Sequence, residues 1–97
     1  TPAGAVTTIA GSTQGDGDKF DGPIGVAVDA DGNVYISDFF NHKIKQVTPA
    51  GVVTTLAGST QGDGDKFNLP AGVAVDADGN LYVGDFRNHK IKKITRD

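Results

Sequence analysis

The run GVAVDADGNVYISDFFNHKI at residues 25–44 returns as GVAVDADGNLYVGDFRNHKI at residues 72–91. The offset is 47 residues, and the match extends outward until residues 1–47 and 48–94 account for nearly the whole chain as two copies of one unit. Eleven positions differ between the copies, and several exchange one apolar side chain for another: Ile9/Leu56, Val34/Leu81, Ile36/Val83 and Val47/Ile94. The same buried positions are filled twice. A period of this length belongs to repeat architectures, in which each unit is a supersecondary module unable to cover its own faces.

The quoted run sets the local structure. GVAVD (25–29) and NVYIS (33–37) read as strands joined by Asp29-Ala30-Asp31-Gly32, where the glycine takes positive φ and Asp side chains cap backbone N–H groups. HKIKQV (42–47) and VVTTLA (52–57) read as a second hairpin closed by Thr48-Pro49-Ala50-Gly51. Residues 38–41 join the two hairpins. GVAVD and VYI are apolar regardless of parity, whereas a strand with one wet face alternates, so both faces of these strands must be covered. The third strand is mixed, with Ile44 on the face of His42 and with Lys43 and Lys45 opposite, as expected near a wetter periphery. Four antiparallel strands of this kind describe a propeller blade stacked between like blades.

Composition narrows the class further. The chain has 97 residues, with twelve acidic residues that are all Asp, fourteen Gly, three Leu and no Met, a vocabulary for short strands and tight turns rather than helices. No cysteine is present, so disulfides and thiolate metal sites are excluded. No apolar run approaches the ~20 residues of a membrane-spanning helix, and no secretory or transit signal is visible, so a soluble chain of unspecified compartment is expected. A net charge of -3 argues against a nucleic-acid partner, whose backbone calls for a basic face.

The pattern PxGVAVDxxGNxYxxDxxNHKI, at residues 23–44 and again at 70–91, resembles the NHL repeat, and the preceding VTTxAGSxxGDGDxF resembles the outer strand and long connector of such repeats. The resemblance covers both copies. It implies a β-propeller, six-bladed in most members, that acts mainly as a platform for proteins, RNA or other ligands, with a minority of enzymes. The expected fold is therefore all-β, a β-propeller with two four-stranded blades per chain in a closed, six-bladed ring.

Strand order adds an expectation about assembly. The chain opens with a strand of the fourth type (residues 6–10), continues with a full set of four and ends with types one to three. Residues 1–11 then read as a displaced outer strand that closes a blade of a neighbouring chain. Val6, Thr7, Thr8, Ile9 and Ala10 would lie beside His89, Ile91 and Ile94 of that neighbour, removing an unpaired edge. With two blades per chain a closed homo-oligomer has an even blade number, four from a dimer, six from a trimer or eight from a tetramer, and the trimer agrees with the habit of the family. Near-identity of the copies suits an engineered or reconstructed two-blade fragment; a recently amplified natural gene gives the same pattern.

Alternating strand direction places the long connectors and the residue 38–41 and 85–88 loops on one end of the blades. That end is the candidate binding face, with Gln14, Asp16, Asp18, Lys19, Phe39, Phe40, Phe86 and Arg87 suited to a polypeptide or a small polar ligand. The same aromatics, with Phe20 and Phe67, can instead brace their loops. The DADGN and GDGD runs lack the terminal bidentate Glu of a calcium loop and read as turn caps. His42 and His89 have no second His or Cys nearby for zinc and are expected to tie their loops to Asp38 and Asp85. Ser12, Ser37 and Ser59 lie in no nucleophile motif, and near-identical copies give acid and base residues the same surroundings, so neither catalysis nor a cofactor is expected.

Overall fold

A computed structural model describes residues 4–11, 20–58 and 67–95. Pro23 opens the first strand, a position where its missing N–H costs no ladder bond, and β1 (Pro23–Val28) pairs antiparallel with β2 (Val34–Asp38). β2 pairs with β3 (Lys43–Val47), and β3 with β4 (Val53–Ala57), giving one sheet in the order β1-β2-β3-β4. The second sheet repeats three of these strands as β5 (Pro70–Val75), β6 (Leu81–Asp85) and β7 (Lys90–Ile94). Each strand lies within two residues of its sequence-based position. Residues 39–41 and 86–88 form single 3-10 turns between hairpins.

Turn chemistry follows the sequence closely. The carboxylate of Asp29 accepts from the backbone N–H of Asp31 and Asn33 through Oδ1, and from Asn33 Nδ2 and the Tyr35 hydroxyl through Oδ2. Asp76 repeats the pattern with Asp78, Asn80 and Tyr82. These carboxylates cap turns, as read from DADGN. Between β3 and β4, Thr48 closes the turn twice, its carbonyl accepting from Gly51 N–H and its hydroxyl from Val52 N–H.

The sheets pack face to face through Tyr35 and Ile44 of the first against Leu81 and Val83 of the second, with Phe67 joining them; all five are buried. Glycine permits the closest approach. Register slips at Gly25, where φ is 81°, and a Cβ there would stand 2.6 Å from the Cα of Gly72. The innermost strands of the two sheets thus meet backbone to backbone, at a spacing only glycine allows.

Residues 6–10, expected as a strand only beside β7 of a neighbouring chain, lie outside both sheets of the single chain, with Val6 94% exposed and Ile9 58% exposed. The second sheet has three strands, matching the strand types one to three with which the chain ends. Lys45 needs correction. It is fully buried rather than wet, its ammonium 2.8 Å from Asp38 Oδ2 and 5.0 Å above the Phe20 ring. A buried carboxylate on the adjoining strand, which parity does not reveal, draws the amine inward.

Candidate functional site: a loop face and two open blade faces

The turn from β2 to β3 is built around a buried carboxylate. Asp38 Oδ1 accepts from the backbone N–H of Asp21, and its Oδ2 from Asn41 Nδ2 and Lys45 Nζ, so one side chain ties the incoming connector, the 3-10 turn and the third strand together. Asp85 does the same with Asn68 N–H, Asn88 and Lys92. Burial alone would push the Asp85 carboxyl up; the Lys92 ammonium and the two amides outweigh it and hold the carboxyl below the usual range. The Asn of each Asn-His pair, not the His, anchors the turn to the Asp.

His42 has a different task from the one expected. It ends the turn in the left-handed region, φ 59°, and its ring Nδ1 accepts from the backbone N–H of Leu69 at 3.0 Å, on the connector into the second sheet. The bond runs between blades. Sequence reasoning missed it because the partner is a backbone amide 27 residues away, which no side-chain motif marks.

The loop face carries the predicted aromatics. Phe39 and Phe40 meet edge to face at 4.8 Å, and Phe39 lies 6.3 Å from Phe86 of the next blade. Phe40 and Phe86 are each more than half exposed, and Arg87 stands exposed at the position equivalent to Phe40. The structure therefore brings Phe39, Phe40 and Phe86 together. Gln14, Asp16, Asp18 and Lys19 lie outside the described residues. Among the described residues no three His, Asp, Glu or Cys side chains converge on a point where a metal ion would sit.

Two sheet faces have no second blade against them. On the first blade, Ile9, Phe20, Val26, Val34, Ile36 and Val47 line a groove of about 290 Å³, in which Val26 is exposed while Ile36 and Val47 are already buried. On the second, Tyr82, Gly84 and Ile91 share the outward face, with Ile91 79% exposed. Register gives their relation. Val34, Ile36 and Val47 are the copies of Leu81, Val83 and Ile94, while Tyr82, Gly84 and Ile91 are the copies of Tyr35, Ser37 and Ile44. The open faces are thus second examples of the two faces already packed together inside the chain.

Paired four- and three-stranded antiparallel sheets, stacked face to face with glycines at their inner strands, define the chain as a pair of propeller-type blades. The NHL repeat model matches residues 20–47 and 67–94, and the chain belongs to the NHL repeat family. No curated protein matches it in sequence. Among solved structures it is similar to an auxiliary nutrient binding protein from Bacteroides thetaiotaomicron, with a TM-score of 0.79 and 26% identity over 90% of this chain and 28% of that one. A protein of unknown function from the same organism is 31% identical, with a TM-score of 0.70 over 78% of this chain and 22% of the other. A putative phosphatase from that organism, at 21% identity and a TM-score of 0.71, covers 89% of this chain and 25% of its own, and shares the fold. The chain spans about a quarter of the length of these structures. No helix among the described residues is long and apolar enough to cross a membrane.

Proposed function

We propose that the chain is a self-assembling structural propeller unit whose copies close head to tail into a ring, six blades from three chains. The observation that carries this reading is the equivalence of the open faces to the buried ones. Ile91 and Tyr82 of one copy would meet Val34, Ile36 and Val47 of the next as Ile44 and Tyr35 meet Leu81, Val83 and Ile94 within the chain. Residues 6–10, the copy of β4, would add to β7 in the register that joins β3 to β4: Ala10 opposite Ile91, Thr8 opposite Lys92, Thr7 opposite Lys93 and Val6 opposite Ile94. Burying these apolar faces, at roughly 25 cal/mol per Å², drives association without any new chemistry.

Nothing in this reading calls for catalysis, a cofactor, nucleic acid or a membrane. Native mass spectrometry at micromolar concentration tests it. Three chains per particle is the expected mass, and four would move the ring to eight blades. A particle of one chain would overturn the proposal. Deleting residues 1–11 should leave β7 without its outer strand and lower the particle to single chains.

A second reading, a platform for a polypeptide or small polar ligand, is favoured by the exposed Phe40, Phe86 and Arg87 on one end and by the similar nutrient binding protein. A peptide array and a small-molecule thermal-shift screen on the assembled particle test it, with Phe86→Ala and Arg87→Ala expected to remove any hit. An NHL-type lyase or hydrolase is a more distant third.

A further inference from the structure

The apolar contact between the blades is non-directional, but one bond across it is not. His42 and Leu69 both hold left-handed backbones, at φ 59° and 57°, and this presents the ring Nδ1 of one to the N–H of the other. Left-handed φ is uncommon outside glycine and marks a position fixed by its surroundings. His89 repeats the arrangement at the far end of the chain. Its φ is 58°, its backbone N–H closes the turn onto Phe86 O at 3.3 Å as that of His42 does onto Phe39 O, and its side chain is exposed where that of His42 is half-buried. The counterpart of Leu69 is Gly22, with the same backbone sense at φ 67°.

We infer that Nδ1 of His89 accepts the backbone N–H of Gly22 of the next copy, a latch between chains that fixes which face meets which. This rests on the assembly proposed above. The latch needs one copy to present its second blade and the other its first. A back-to-back pair would bring His89 against His89, with no amide to receive, and a front-to-front pair would bring Gly22 against Gly22 with no acceptor. Apolar faces alone do not make this distinction, because Ile and Val accept any apolar surface of the right shape. Thus His89 is a positioning residue for ring closure, as His42 is for packing within the chain.

The test compares His89→Gly, which removes the acceptor and relaxes the left-handed backbone, with His89→Asn, which keeps both an acceptor oxygen near the Nδ1 position and tolerance of that backbone. Native mass is followed on dilution of each full-length variant, together with hydrogen exchange of the Gly22 amide. His89→Gly should dissociate at about tenfold higher concentration than the parent, the factor for one lost bond to a desolvated amide, and its Gly22 amide should lose protection. His89→Asn should stay within about threefold of the parent and keep that amide protected. A parent that remains a single chain overturns the assembly and the latch together. A parent that assembles while His89→Gly matches it on dilution, with Gly22 equally protected, overturns the latch alone.

Discussion

Ile44 and Ile91 occupy the same position in two copies of one sequence, yet the first is fully buried and the second 79% exposed. Tyr35 and Tyr82 differ in the same sense, at 2% and 37% exposure. The strands and registers of these pairs agree, although β3 carries β4 on its outer edge and β7 has no such strand. The main difference is that another blade stands against Tyr35 and Ile44, through Leu81 and Val83, and none against Tyr82 and Ile91. A blade is therefore not a domain with a core of its own, and what its sequence encodes is half of an interface.

Truncating the two isoleucines should give the largest effect. Removing a buried Ile side chain to Ala costs about 2–5 kcal/mol. In a closed ring Ile44→Ala and Ile91→Ala should cost nearly the same, whereas in an isolated chain Ile44→Ala alone should be damaging. Denaturant unfolding at a concentration where native mass shows one species decides between them, and unequal losses in a particle of three chains would contradict the proposed packing.

A smaller effect is expected where the copies truly differ. Gly22, Ile24, Ser37 and Phe40 become Leu69, Ala71, Gly84 and Arg87, and these exchanges gather at one end of the blade. They compensate one another. A Cβ at Gly22 would stand 2.6 Å from the Phe40 ring, while in the second copy a leucine fits because an arginine replaces that ring. Gly22→Leu should therefore destabilise by about 1–3 kcal/mol through overpacking and more through a leucine held at positive φ, and Phe40→Arg should recover the overpacking part of that loss in the double variant. A double-mutant cycle in thermal unfolding with no coupling energy would show that the two positions act independently.

The smallest effect concerns the turn carboxylates. The Tyr35 hydroxyl, followed by the amides of Asn33 and Asp31, holds the Asp29 carboxyl down to about 2 against partial burial, from an ordinary 3.8. Asp76 is lowered in the same way, first by the backbone N–H of Asn80 and then by the Tyr82 hydroxyl. Because the folded-state values lie below the unfolded ones, these groups favour folding above about pH 4, and that contribution is lost as pH falls toward 2. Asp29→Asn combined with Asp76→Asn should lower stability at neutral pH and flatten its fall between pH 4 and 2. Equal acid slopes for variant and parent would place the acid sensitivity elsewhere, with the buried Asp85 and its Lys92 partner as the next position to replace.

How much of this was legible varies with the range of the interaction. Both hairpins, their DADG and TPAG turns and the antiparallel order could be read directly, because turn residues and apolar runs act over a few positions. The aromatic loop face was legible as a set of residues, through strand direction alone. Two features were not. Lys45 looked peripheral by parity, but its ammonium answers a carboxylate on the adjoining strand. His42 reaches an amide that carries no side-chain signature.

By itself, then, the sequence determined the repeat, the strand and turn pattern within each unit, and the demand that both faces of each blade be covered, since these follow from composition and spacing along the chain. Only the tertiary structure decided which face of the first blade meets which face of the second, that Gly25 and Gly72 touch backbone to backbone, and that a histidine bridges the blades. The physical reason is that stacking depends on shape and on donors and acceptors brought together from distant positions. Two nearly identical units have the same local preferences, and only their relative placement distinguishes a covered face from an open one.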